Sequence, residues 1–157
     1  MTRLTSALAA MALVALAACN SGGTTSSRSS TTSPVVTTRS SAPLTITSFK
    51  TPSGNIGCMV DPGYARCDIK DHSWSAPSKP PDCDLDWGDA LQVSDKAAAG
   101  LVCHGDTALD PSAPVLAYGQ RTRPGSIVCE SAEAGVTCTH QPSGRGFFIS
   151  RERYQLF

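Results

Sequence analysis

The sequence predicts an all-β domain: a small antiparallel sandwich or barrel, stapled by disulfides and with little helix. Three observations carry that expectation. Residues 44–157 break into nine short β-type runs separated by Gly, Pro and Asp punctuation. No window in this segment sustains the i, i+3, i+4, i+7 apolar recurrence of an amphipathic helix. Six cysteines (Cys58, Cys67, Cys83, Cys103, Cys129 and Cys138) all fall within it. An even set of cysteines behind an export signal reads as three disulfides in an oxidising compartment.

The export signal occupies residues 1–18. One charge, Arg3, precedes twelve unbroken apolar residues, 7–18, ending in the small pair Ala17-Ala18. Crossing a bilayer takes about 20 such residues, so a permanent membrane span is not expected. The tetrapeptide Leu16-Ala17-Ala18-Cys19 resembles the bacterial lipobox. That resemblance implies a diacylglycerol on the Cys19 thiol and cleavage just before it. The chain is then a lipoprotein held to the outer face of the cell membrane. The competing reading is an ordinary secretion signal that leaves Cys19 as a free thiol.

Residues 19–43 form the expected linker. From 20 to 43 there are eight Ser and six Thr in 24 positions, no aromatic residue, and only Arg28 and Arg39 as charges. Such a composition cannot bury enough apolar surface to offset its ordering entropy. As a coil it spans about 27 Å root-mean-square. Its Ser/Thr density suits either O-glycosylation or a plain linker.

Beyond the linker, the β-type runs are 44–49, 56–60, 64–69, 90–93, 101–103, 115–118, 126–130, 136–140 and 146–150. Two places read as short helix. Ser94 stands as an N-cap before Ala97-Ala98-Ala99 with Gly100 behind it, enough for about one turn. Ser150 stands either as the cap of a C-terminal helix or inside a strand that simply continues.

Six cysteines allow fifteen pairings. A weak internal repeat narrows them: Gly54, Ile56, Cys58 and Cys67 recur as Gly125, Ile127, Cys129 and Cys138, each 71 residues on. Two hairpins of similar build place Cys58 across from Cys67, and Cys129 across from Cys138. Facing residues of an antiparallel pair are within disulfide reach. Cys83 and Cys103 pair by remainder. Two local details complicate this picture. Pro62 fixes φ near −65°, which suits a loop wider than the two residues Pro62-Gly63. Gly135 is a candidate bulge that would shift the second hairpin's register by one. Loop entropy assigns about 2.7 kcal/mol to each ten-residue loop and about 3.3 kcal/mol to the 21-residue one.

Residues 44–157 hold ten Lys+Arg and all thirteen Asp+Glu of the chain, a formal net charge of −3. No basic face is evident, so no nucleic-acid partner is expected. His72, His104 and His140 lack H-x-H or H-x₃-H spacing, and no C-x₂-C pair exists for zinc. Asp82, Asp84, Asp86 and Asp89 alternate like a calcium loop, but Trp87 and Val93 stand where the EF-hand requires Gly and Glu. These carboxylates read instead as a solvated face, or as partners for Arg121, Arg123, Arg145, Arg151 and Arg153. No G-x-S-x-G is present, and Ser143, in a glycine-rich loop, reads as a turn residue. Trp74 and Trp87 read as cover for the sheet before they read as a platform for glycan or Pro-rich peptide. No catalytic, cofactor-binding or metal-ligating residue is assigned, and no cofactor is expected.

An ordered set of motifs runs through most of the chain. It begins with Phe49-Lys50-Thr51-Pro52-Ser53-Gly54-Asn55-Ile56-Gly57-Cys58, Cys67-Asp68-Ile69, Trp74, Cys83, Asp86-Trp87-Gly88, Cys103 and Gly105-Asp106-Thr107. It continues with Tyr118-Gly119, Cys129-Glu130-Ser131, Gly135-Val136-Thr137-Cys138, Ser143-Gly144, Gly146-Phe147 and Arg151. Over 49–157 the chain resembles the actinobacterial secreted domain of unknown function DUF6636. The resemblance implies location and architecture and brings no activity. It also implies Gly-His-Gly before Phe147, where this chain has Gly144-Arg145-Gly146. No histidine role at that place carries over.

Three functional readings follow. The first is a surface-anchored, non-enzymatic binding domain of the cell envelope. Its partners are the membrane, through Cys19, and an envelope protein or glycan. The second is a small extracytoplasmic hydrolase, which requires His104, Asp106 and Ser143 to converge around a pocket. The third is a protease-inhibitor-like module, which the compact disulfide scaffold would suit.

Overall fold

The computed structural model describes residues 42–157. The Cys19 assignment and the signal-peptide expectation lie outside the described residues, as does all of the linker before Ala42. The described chain builds two antiparallel sheets, each a five-strand meander. The first contains β1 (Ser48–Lys50), β2 (Ile56–Asp61), β3 (Tyr64–Ile69), β4 (Ala90–Ser94) and β5 (Gly100–Leu101), in that spatial order. The second contains β6 (Arg121–Thr122), β7 (Ile127–Ala132), β8 (Gly135–His140), β9 (Gly146–Ile149) and β10 (Tyr154–Leu156).

The 71-residue repeat is therefore a repeat of whole sheets. In the first hairpin Ile56 faces Ile69, Cys58 faces Cys67 and Asp61 faces Tyr64. In the second, Ile127 faces His140, Cys129 faces Cys138 and Ala132 faces Gly135, the same register displaced by 71. Alternate residues of each strand point inward, as the two-residue period of a strand requires. Phe49, Cys58, Val60, Cys67, Leu91 and Val93 from one sheet share a buried core with Ile127, Cys129, Val136, Cys138, Phe147 and Ile149 from the other.

Disulfides join Cys58 to Cys67, Cys83 to Cys103 and Cys129 to Cys138. The two hairpin bonds bridge Cα atoms 4.1 Å apart, the close spacing of a non-hydrogen-bonded antiparallel pair. They also touch each other: the Sγ atoms of Cys67 and Cys138 lie 3.7 Å apart at the centre of the core. Three disulfides in a domain of this size mark an oxidising, extracytoplasmic environment.

The N-terminal segment ties the two sheets together at one edge. Leu44 N–H donates to Arg121 O, and Arg123 N–H to Leu44 O, both at 2.7 Å, as a parallel bridge onto the edge strand β6. Four residues later the same segment becomes β1 of the other sheet.

Several expectations are corrected. Pro62 and Gly63 alone connect β2 to β3, so the wider loop does not form. Gly135 does not shift the register; it starts β8 at φ +145°, where a Cβ would lie 2.4 Å from Ile149 O and 2.8 Å from the Phe148 ring. Neither predicted helix is present. The Ser94 hydroxyl does accept from Lys96 and Ala97 N–H, at 3.3 and 3.0 Å, but the turn leads directly into β5. The Ser150 hydroxyl likewise accepts from Glu152 and Arg153 N–H, both at 3.2 Å. It shapes a tight turn that reverses the chain into β10, so the terminus neither coils nor extends β9. Residues 115–118 make only an isolated bridge, from Val115 to Lys50. The run at 101–103 contracts to β5, which ends at Leu101.

Candidate binding cleft

An open cleft of about 400 Å³ lies where the β1–β2 turn approaches the β7–β8 hairpin. One wall is the turn 51–55. Gly54 adopts φ +68° and donates its N–H to Thr51 O at 2.9 Å. The hydroxyls of Thr51 and Ser53 bond each other at 3.1 Å. Asn55 fixes the neighbouring segment: its Nδ2 donates to Asp71 O and its Oδ1 accepts from Asp71 N–H, both at 2.9 Å. The other wall is the hairpin tip Glu133-Ala134 with the turn at Arg151-Glu152, and Tyr118 also lines the cleft, 40% exposed. Ser73 Oγ donates to Arg151 O at 3.2 Å, but among the described residues the side chains of Lys70, Arg151, Glu133 and Tyr118 enter no ion pair or hydrogen bond.

The repeat explains why the space exists. At the opposite end, Gly125 is the counterpart of Gly54 and Pro62 that of Glu133. There the two walls meet. Ser126 N–H donates to Pro62 O at 2.7 Å, and a Cβ on Gly125 would lie 2.4 Å from Pro62 Cα. A Cβ on Gly54 would meet nothing within 4 Å, and Asn55 N–H, the counterpart of Ser126 N–H, turns to Ser53 Oγ at 3.3 Å. One end of the duplicated sandwich is sealed and the other is open.

The residues singled out from the sequence lie elsewhere. His104 and Asp106 belong to a segment that covers the outer face of the first sheet. Arg66 and Asp68, both buried, form a two-pronged pair there, with Nε to Oδ1 and Nη2 to Oδ2 at 2.8 Å. Arg66 also reaches Asp106 Oδ1 at 2.6 Å and Asp106 O at 2.7 Å. Thr107 Oγ1 and Ala108 N–H donate to Asp68 Oδ2 at 3.1 and 2.7 Å, so that oxygen accepts from Arg66, Thr107 and Ala108 together. His104 faces an acceptor on each side, Asp106 O at 2.7 Å from Nδ1 and Asp89 Oδ1 at 2.9 Å from Nε2. Burial lowers the imidazole pKa, but the bonds to Asp89 and to the Asp106 carbonyl outweigh it and leave the pKa above its ordinary value. Arg66, Asp68 and both ring nitrogens of His104 are engaged in holding the cover segment.

Ser143 is not part of that cluster. Its Oγ bonds His140 Nδ1 at 2.8 Å and accepts from Arg145 Nε at 3.1 Å, within the exposed β8–β9 turn. The convergence of His104, Asp106 and Ser143 required for hydrolysis is not formed.

Trp74 stacks on His72 with ring centres 3.8 Å apart and donates to Ser150 O at 2.8 Å, covering the core edge beside Tyr154. Trp87 donates to Pro77 O at 3.0 Å. Asp89 of the acidic run serves His104, and among the described residues no group of His, Cys, Asp and Glu is arranged to hold a metal ion. Of the arginines expected to face that run, Arg121 pairs with Glu130 at 3.5 Å, Arg123 donates to Gly125 O, and Arg153 lies over the Phe148 ring.

Residues 34–157 match the model of a family of unknown function, DUF6636. The chain belongs to that family. No curated protein and no solved structure matches it. In this DUF6636 domain the cleft draws on five separate segments, so no local motif announced it. The repeat held the only signal, in the unequal surroundings of Gly54 and Gly125.

Proposed function

We propose that the protein is an exported lipoprotein, fixed to the outer face of the cell membrane by lipid on Cys19. Its DUF6636 domain binds an envelope protein or glycan in the cleft without catalysing a reaction. The observation that carries this reading is the open, polar cleft at the unsealed end of the sandwich. It contains neither His nor Cys, so its Ser and Thr hydroxyls have no imidazole base beside them. In the histidine-carboxylate cluster elsewhere, both ring nitrogens of His104 are taken up by hydrogen bonds that hold structure. The disulfides and the signal-like N-terminus support export.

The anchor is tested by mass spectrometry of the chain taken from membrane fractions. Acylation at Cys19 is expected, together with release of a Cys19→Ser variant into the soluble fraction. An unmodified Cys19 thiol on the membrane-associated chain would remove the anchor.

A further inference from the structure

Charge is divided between the two repeats. Residues 44–110 contain ten Asp, no Glu and five Lys+Arg, a formal charge of −5. Residues 111–157 contain five Arg, three Glu and no Asp or Lys, a formal charge of +2. The domain is thus acidic around its first sheet and basic around its second.

The outer faces of the two sheets also differ. On the first, the cover segment lies over Arg66 and Asp68. Their counterparts on the second are Thr137 and Thr139, which line an uncovered groove of about 320 Å³. Arg121, Arg123 and Glu130 line the same groove, with Glu130 paired to Arg121 at 3.5 Å. Strand register continues this row across the sheet from Arg121 through Glu130 and Thr137 to Phe148, with Arg153 Cζ 4.8 Å from the Phe148 ring centre. Pro43 lines the groove as well, so the chain that leads back to Cys19 leaves the domain at this basic face.

We propose that the outer face of the second sheet rests on an anionic lipid surface, the membrane to which Cys19 ties the chain. This inference rests on the lipid-anchor reading above. Arginines within a Debye length of an anionic leaflet are attracted to it. The 24 residues from 20 to 43 hold the domain close to that surface, which makes docking an intramolecular event. The acidic first repeat is repelled and turns outward. The half-buried ring of Phe148, flanked by Arg153, suits the headgroup boundary.

The test uses the chain from residue 19 carrying Cys19→Ser, so that no lipid assists binding, with vesicles of phosphatidylcholine alone or with 30 mol% phosphatidylglycerol. Binding at least tenfold stronger to the anionic vesicles is expected at low salt, and its loss is expected in 0.5 M NaCl. Arg123→Glu with Arg153→Glu should reduce that binding at least tenfold while the circular dichroism spectrum is kept. Lys79→Glu, in the acidic repeat, should leave it unchanged. Equal binding to both vesicle types, no binding to either, or indifference to the double arginine change would overturn the proposal. Acylation of Cys19 is read separately: an acylated chain that ignores anionic vesicles defeats this inference alone, and an unacylated Cys19 defeats the anchor reading.

Discussion

Ser131 occupies the place in the second repeat that Val60 holds in the first. Both are fully buried, and the Ser131 hydroxyl has no hydrogen-bond partner among the described residues. A buried, unpaired hydroxyl costs about 1–3 kcal/mol. Ser131→Val restores the side chain that the first repeat already uses there. Its expected effect is a gain of about 1 kcal/mol, read as a higher urea midpoint with disulfides intact. A lower midpoint would show that the second core lacks room for the methyl group. Gly125 illustrates the opposite constraint. A Cβ at that position would meet Pro62 backbone at 2.4 Å, so the sealed end of the sandwich depends on the absence of a side chain.

At the scale of elements, the cover segment over the first sheet is held by Cys83–Cys103, by Asp68 and by His104. Because the His104 pKa is raised by folding, the protonated form contributes stability. That contribution is fully present below the unfolded value of about 6.5 and is lost as pH rises through the higher folded value. His104→Gln is expected to cost more stability at pH 5.5 than at pH 8.5, as measured by denaturation midpoints of the two proteins at each pH. A cost that does not change with pH would show that folding leaves the His104 pKa unshifted, and a smaller cost at pH 5.5 would show that the fold favours the neutral ring.

The elements were unequally legible in the sequence. The hairpins could be read because the cysteine spacing repeats and a sheet pairs residues directly. The edge strands β6 and β10 escaped because two or three residues carry no period, and their pairing depends on neighbours that only the fold supplies. The serines at 94 and 150 do cap turns, but the apolar residues that follow (Ala99 and Leu101, then Tyr154) pack against the core from the chain entering β5 and β10, so each turn ends at its cap. The cleft was illegible for a related reason: Thr51, Asp71, Tyr118, Glu133 and Arg151 come together only when the repeats close on each other.

For the molecule as a whole, the repeat makes two sheets that share one core, with a cross-strand disulfide at the middle of each. Loop entropy assigns about 2.7 kcal/mol to the Cys58–Cys67 bond, against a typical domain stability of about 5–15 kcal/mol. The paired change Cys58→Ala with Cys67→Ala should therefore lower unfolding free energy by at least about 2 kcal/mol in denaturant titrations. A loss near zero would mean that packing alone holds the first hairpin.

Cys58, Cys67, Cys129 and Cys138 are wholly enclosed, whereas Cys83–Cys103 lies at the periphery of the first sheet. A reductant added to the folded domain therefore meets the outlying bridge first. The inner pair yields only when the two halves part, so the appearance of their thiols times the opening of the entire domain.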